Sequence, residues 1–143
     1  MNNYANDYKF VVVVNKRIEV GVAMNSIAHM AIGLMSSIDN ETKDKMGFID
    51  YIDKEGNEHN NISSLSLIVL RGKSGEIRKA RNKAIEVNIP FTDFIETMTG
   101  DTYKEQLERT KNTSYDETNF YGIMMFGKKE DIDQLTKRFS LYT

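Results

Sequence analysis

The apolar run at residues 9–14, KFVVVV, is the feature that most constrains the fold of this 143-residue chain. Its four consecutive valines are β-branched, and a continuously apolar run of this kind is typical of a strand buried on both faces of a sheet. A strand covered on both faces requires helices above and below the sheet. The run therefore predicts the central strand of an α/β sandwich.

Further segments continue an alternation of strands and helices. Apolar runs predict strands at residues 65–70, 91–95 and 120–126, and helical spacing of apolar residues predicts helices at 20–38, 73–88 and 129–138. Residues 101–110 are helical in composition, and a hairpin or excursion is expected within 47–60. We predict one three-layer α/β domain spanning residues 1–143, with an ordered core from about 8 to 141. Its sheet is expected to be four-stranded, mixed and largely parallel, with helices on both faces.

Composition excludes several kinds of site. The chain has no cysteine, so a disulfide, a thiolate nucleophile and a cysteine-ligated zinc are impossible. Its two histidines do not form a metal-binding motif, and residues 15–21, NKRIEVG, lack the glycine spacing of nucleotide-binding loops. We expect no metal and no cofactor. Because the first apolar run is too short for a membrane span, a cytoplasmic location without membrane contact is expected.

A polar pair on the first predicted helix is a candidate site. Asn25 and His29 are four residues apart and share one helical face. The reference pKa of histidine, about 6.5, lies near physiological pH, so His29 could act as a general base or a ligand-binding donor. Thr92 and Asp93 follow the start of a predicted strand that could approach this helix. Asn25, His29 and Asp93 are thus candidate catalytic residues. The alternatives are a hydrogen-bonded core histidine, and turn or helix-cap roles for Thr92 and Asp93.

The segment 71–83 concentrates basic residues in a chain whose net charge is −2. This segment is either the solvated side of a helix or a patch that binds phosphate. In the second interpretation Arg71, Lys73, Arg78 and Lys79 are the phosphate-binding residues.

Three motifs resemble a known family. They are GVAMNSIAHMAIGL at residues 21–34, FTD at 91–93 and YGIMMFGKKEDIDQLTKRFSL at 121–141. Together they resemble the family catalogued as domain of unknown function number two thousand, within the type II peptidyl-tRNA hydrolase-like superfamily. The resemblance covers residues 9–141 and implies a mixed four-stranded sheet flanked by helices, often in a homodimer. It also implies ligand-binding roles for Gly21, Thr92, Gly127 and Thr136.

The chain departs from true type II hydrolases at two motifs. Those enzymes carry lysine just before the first helix, whereas this chain has IEVGV at residues 18–22, including Glu19. Their mid-chain Asp-Ala-Gly-x-Thr motif is replaced by TDFIE at 92–96. Because a carboxylate repels phosphate and cannot stabilise an oxyanion, we expect peptidyl-tRNA cleavage to be poor or absent.

Three hypotheses for function follow. The leading one is a domain that binds a small or nucleotide-related ligand, or an enzyme of unknown reaction, with a cleft at Gly21, Asn25, His29, Thr92 and Asp93. The second is an ester hydrolase acting on peptidyl- or aminoacyl-tRNA. The third is a non-enzymatic homodimeric interaction module.

Overall fold

The centre of the fold is a strand covered on both faces. The computed structural model describes residues 7–143. The segment predicted to precede the ordered core, residues 1–7, lies outside the described residues except for Asp7. The side chains of Phe10, Val12 and Val14 face one side of the sheet, and those of Val11 and Val13 face the other. The four valines are at most 1% exposed. The predicted central strand is therefore confirmed.

The strands form a main sheet and a separate hairpin. In chain order the strands are β1 Tyr8–Asn15, β2 Phe48–Ile52, β3 Glu58–Ser63, β4 Leu67–Gly72, β5 Phe91–Ile95, β6 Phe120–Lys128 and β7 Ser140–Leu141. The main sheet has five strands in the order β5-β6-β1-β4-β7, while β2 and β3 pair only with each other. The prediction of four strands is wrong by one, because β7 has two residues and is too short to produce a recognisable pattern.

The main sheet is mixed, as predicted, but not largely parallel. Among residues 7–143 only β1 and β4 pair in parallel, with Val12 beside Val69. Strand β6 is antiparallel to both β1 and β5, and β7 is antiparallel to β4. The prediction of mostly parallel strands failed because it assumed that every helix between two strands crosses a face of the sheet.

Helices cover both faces of the sheet. They are α1 Val20–Ser37, α2 Asn40–Asp44, α3 Ser74–Glu86, α4 Tyr103–Lys111 and α5 Lys129–Thr136, with 3₁₀ turns at Glu96–Met98 and Tyr115–Glu117. Helix α1 packs on the side of Val12, and α3 and α5 pack on the side of Val11. The three predicted layers are confirmed, and the three main helices begin and end within two residues of the predicted positions.

Helix α4 packs beyond the end of the sheet. The Nη2 atom of Arg109 donates hydrogen bonds to the carbonyl oxygens of Thr97 and Thr99, at 3.3 and 2.6 Å. The hydroxyl groups of Thr97 and Thr110 are 2.7 Å apart. Because α4 stays at the edge where β5 ends, the chain re-enters the sheet from that edge, and β6 must run antiparallel to β5.

The excursion expected within residues 47–60 is the hairpin β2–β3. Asp53 fixes its turn by accepting hydrogen bonds from the backbone N–H groups of Glu55 and Asn57, at 3.1 and 2.9 Å. The Asn57 hydrogen bonds, followed by one from His59, lower the pKa of the Asp53 carboxyl. Gly56 has a φ of +91°, a backbone conformation that glycine adopts without strain.

Two glycines provide a test of how tightly α1 packs on the sheet. A Cβ atom on Gly122 would lie 2.7 Å from Cε of Met30 and 2.9 Å from the carbonyl oxygen of Val13, whereas one on Gly21 would meet nothing within 4 Å. We expect Gly122→Ala to lower the free energy of unfolding by about 1–3 kcal/mol, because a backbone oxygen cannot rotate away. Gly21→Ala should raise it by up to about 1 kcal/mol, since alanine is the better helix former. Urea denaturation measures both changes, and equal effects would contradict this packing.

Candidate functional site

Neighbouring residues of β5 point to opposite faces of the sheet. Thr92 lies on the α1 side, where its Cγ2 atom would be 3.0 Å from a Cβ atom added to Gly33. Asp93 lies on the α3 side, where Oδ2 accepts a hydrogen bond from Nε of Arg81. The structure therefore does not form the predicted cleft between Asp93 and His29, because the sheet separates them.

His29 is exposed and lies on the flank of α1 that borders β5. Its ring stacks on that of Phe94, with centroids 5.5 Å apart and planes inclined by 26°. Asn25 is also exposed, one helical turn nearer the start of α1. Asn25 and His29 thus share a surface, as their spacing predicted, and the alternative of a core histidine is wrong.

The glycines and threonines assigned by family resemblance lie apart from one another. Gly21 is exposed in the first turn of α1. A Cβ atom on Gly127 would be 3.0 Å from Cδ1 of Ile89, in the core between the sheet and the helices α3 and α5. Thr136 is 8% exposed, and its hydroxyl donates to the carbonyl oxygen of Ile132 at 2.8 Å. These residues do not line one site with Thr92.

The four basic residues proposed for phosphate binding also point in different directions. Lys73 precedes the first turn of α3, and Arg71 lies in β4 opposite Ser140 of β7. Arg78 donates a hydrogen bond to the carbonyl oxygen of Asp116, whereas Lys79 lies beside α5. Arg78 and Lys79 therefore occupy opposite flanks of α3, and the four do not form a single patch.

A chain of hydrogen bonds at the carboxyl edge of the sheet was missed by sequence analysis. Asn15, 4% exposed, donates from Nδ2 to the carbonyl oxygen of Phe120 at 2.8 Å. Asn119 donates from Nδ2 to Oε2 of Glu96 at 2.7 Å. Burial, followed by the negative charge of Glu96, raises the pKa of Tyr121. The signal available in the sequence was Asn15, a polar residue directly after the buried run at residues 9–14. The hydrogen bonds of this group join β1, β6 and the turn after β5.

A second group missed by sequence analysis surrounds Asp93. The guanidinium of Arg81 lies between the rings of Phe91 and Tyr115, 5.2 and 5.4 Å from their centroids. Its Nη1 atom donates to the hydroxyl of Tyr115 at 3.2 Å, and that hydroxyl donates to Oδ1 of Asn82. Because two rings and two hydrogen bonds hold it, the guanidinium has a single fixed orientation.

The Arg81–Asp93 pair is partly buried. The two side chains are only 28% and 17% exposed. Burial by itself would lower the pKa of Arg81, but the hydrogen bonds to Asp93 and Tyr115 raise it above its ordinary value. Oδ1 of Asp93 has no hydrogen-bond partner among residues 7–143 and is not buried, so it can accept a hydrogen bond from a ligand.

This pair forms one wall of an open surface cleft of about 300 Å³, here called the Asp93 cavity. It is lined by Arg81, Asp93, Ile95, Met98, Thr110, Thr113, Tyr115, Thr118 and Phe120. The hydroxyls of Thr113 and Thr118 donate to the carbonyl oxygens of Arg109 and Ser114, so their oxygens remain available as acceptors. No local sequence pattern predicts this site, because its lining residues come from β5, from α3 and from the turns around α4.

The described residues, from residue 7 onward, contain no cluster of side chains that could bind a metal ion. No three histidine, aspartate or glutamate side chains there lie close enough together to hold an ion. The prediction of no metal stays a prediction.

The fold and the cavity together define the class of protein. It is a three-layer α/β domain with a mixed sheet and a polar cavity beside the edge strand β5. The family described as protein of unknown function DUF2000 matches residues 8–143, and the chain belongs to that family. The resemblance found in the sequence is confirmed at this level. No curated protein matches.

A solved structure shares the fold. It is that of a protein of unknown function, Atu0240, from Agrobacterium tumefaciens strain C58. The two chains superpose with a TM-score of 0.78 at 22% sequence identity, over 96% of this chain and 98% of the other. This similarity shows that the two chains share their architecture over nearly their full matched length.

The stability of the Arg81–Asp93 pair can be measured by removing its cation. We expect Arg81→Met to lower the free energy of unfolding by about 1–3 kcal/mol, because a partly buried carboxylate loses its charged donor. Lys83→Met is the matched control, since its partner Glu86 lies 3.2 Å away and both side chains are more than half exposed. That control should cost less than about 1 kcal/mol. Equal losses in chemical denaturation would show that the Arg81 pair behaves as an ordinary surface pair.

Proposed function

We propose that this domain binds a small molecule bearing hydroxyl or amine groups in the Asp93 cavity. The observation that carries the proposal is the fixed Arg81–Asp93 pair in the wall of a preformed cavity of about 300 Å³. Cavities of this size with a few convergent polar groups are typical small-molecule sites. Asp93 was also part of the site predicted from the sequence, but its partner in this proposal is Arg81 instead of His29.

The chemistry of the lining supports a ligand with hydrogen-bond donors. Several polar atoms around the cavity can accept hydrogen bonds, among them Oδ1 of Asp93 and the hydroxyl oxygens of Thr113 and Thr118. Arg81 supplies donors at one side. A hydroxyl or ammonium group pairs with such acceptors, while a fully deprotonated anion lacks the donors that they require.

The remaining lining suits an apolar or ring-shaped portion of the ligand. Phe120 and Ile95 are 1% and 8% exposed and provide a rigid floor, with Met98 beside them. Aromatic and aliphatic surface contributes most of the binding energy in such cavities, while the polar groups fix the ligand's orientation. The ligand class is therefore a compact molecule with one apolar face and several hydroxyl or amine groups.

A screen of small polyols and amines, observed by ligand NMR, tests this assignment. We expect hits to shift the backbone amide signals of residues 93–98 and 110–120. Asp93→Asn should weaken the best hit about tenfold or more, because a hydrogen bond to a charged acceptor is lost.

Two control variants locate the site. Asp133→Asn removes the same carboxylate chemistry from a pair with Lys9 in which the Asp133 side chain is 60% exposed, and it should leave the affinity unchanged. His29→Ala should also leave it unchanged. If His29→Ala abolished binding and Asp93→Asn did not, the ligand would occupy the outer surface of α1, contrary to the proposal.

The type II peptidyl-tRNA hydrolase-like assignment belongs to a less favoured proposal, with tRNA as the partner. Its phosphate-binding residues would have to act together, but Arg78 and Lys79 lie on opposite flanks of α3. Glu19 precedes α1 where those enzymes carry a cation. A location in the cytoplasm is likewise retained as a prediction.

The second candidate function is a homodimer formed through α1, and a specific observation favours it. Val20, Met24 and Ile32 on its outward face are 60%, 64% and 72% exposed. Within the described residues α1 is long and apolar enough to cross a membrane by length and composition alone, yet it also supplies core residues. It contains no charged residue, so two copies could pack across a twofold axis without charge repulsion. Such packing would also cover Asn25 and His29.

Sedimentation velocity tests the homodimer. We expect the wild-type protein to sediment as a dimer at micromolar concentration, and Met24→Glu with Ile32→Glu to yield a monomer, because buried like charges oppose association. Leu107→Glu on α4 is the matched control, since Leu107 is 65% exposed and lies on a different helix. A monomeric wild type, or a control that dissociates equally, would contradict an α1 interface.

A further inference from the structure

A groove lies between α3 and α5, on the flank of α3 opposite to Arg81. Its volume is about 310 Å³. The basic side chains of Lys79, Lys83, Lys137 and Arg138 surround it, and Glu76 is the one carboxylate in its lining. We call this the α3–α5 groove. It concentrates positive charge in a protein whose net charge is −2.

Three of its cations have no ion-pair partner among the residues that the structure describes. Lys83 forms an exposed ion pair with Glu86 at 3.2 Å. Lys79, Lys137 and Arg138 have no ion pair among residues 7–143. Oε1 of the nearby Glu76 accepts the backbone N–H of Lys73 at 2.9 Å and caps α3, but its negative charge remains. Four cations and this one carboxylate leave the lining with a formal charge of +3.

The positions of these cations are better explained by ligand binding than by stabilisation of the helices alone. Lys137 and Arg138 follow the carboxyl end of α5, where the helix dipole attracts cations. Lys79 lies in the middle of α3 and has no such role. Lys79 and Lys83 are four residues apart on one helix, where like charges repel each other. An anion held between the two helices would offset this repulsion.

The floor and size of the groove define the anion. Ala80 is 5% exposed, and Leu135 is half-buried beside it, so an apolar base lies beneath a basic rim. Three unpaired cations match a ligand with two to four negative charges, and the volume suits a small molecule. Lysine and arginine side chains bind phosphate oxygens through charge-assisted hydrogen bonds.

We propose that the α3–α5 groove binds a diphosphate group, either as free pyrophosphate or as part of a nucleoside diphosphate. Lys79 and Arg138 contact the phosphate oxygens from opposite walls, and Lys137 adds a third cation. The apolar floor of Ala80 and Leu135 accepts whatever the diphosphate carries. This site is independent of the Asp93 cavity, because different flanks of α3 line the two.

Titration of the full-length protein with inorganic pyrophosphate and with ADP, followed by amide NMR at about 0.1 M salt, tests the proposal. Both probes should shift signals within residues 76–83 and 134–138. Tighter binding of ADP would assign a nucleotide, and tighter binding of pyrophosphate would assign the free anion; either supports a diphosphate site. Adenosine should produce no shift there.

The variant Lys79→Gln with Arg138→Gln should weaken pyrophosphate binding at least about tenfold, through the loss of two charge-assisted hydrogen bonds. Lys104→Gln with Lys111→Gln on α4 removes the same net charge from exposed positions and should change the affinity less than about twofold. The proposal is overturned if both variants weaken binding equally, if neither probe binds, or if the shifts fall elsewhere. It is also overturned if a short RNA duplex binds this groove and pyrophosphate does not compete with it.

Discussion

Burial of β1 on both faces is the constraint on which the rest of the structure depends. Val12 and Val14 require a helix on one side, and Val11 and Val13 require helices on the other. Hydrogen bonding to β4 and β6 then fixes β1 in the middle of the sheet. Because each face must be closed by different helices, side chains that alternate along any strand enter different environments.

The sequence predicted the main elements because they are long and strongly patterned. Strand β1 and helix α1 were located to within a residue, since runs of valine and helical apolar spacing leave little ambiguity. Strand β7 was missed because two residues carry no periodicity. The direction of β6 was not predictable, because nothing in the composition of α4 shows that it packs on the turn after β5.

The candidate site was harder to predict than the fold. Asp93 was selected for its residue type, but its face of the sheet depends on strand register, and a shift of one residue exchanges the two faces. Register also decided that Thr92 would meet Gly33 of α1. Arg81 appeared in the sequence as one basic residue among several. Only the packing of α3 against β5 distinguishes it, since the rings of Phe91 and Tyr115 hold it beside Asp93.

The separation of the hairpin β2–β3 from the main sheet has a consequence for how the molecule opens. Most of its residues are exposed, and its strands pair only with each other. Ser63 and Ser64 join its base to Met46 and Gly47 through hydrogen bonds near the core. The hairpin can therefore lose its structure while β1 remains fully paired. Amide protons of β1 then exchange with solvent only through global unfolding, whereas those of the hairpin exchange through a local opening that leaves the core intact.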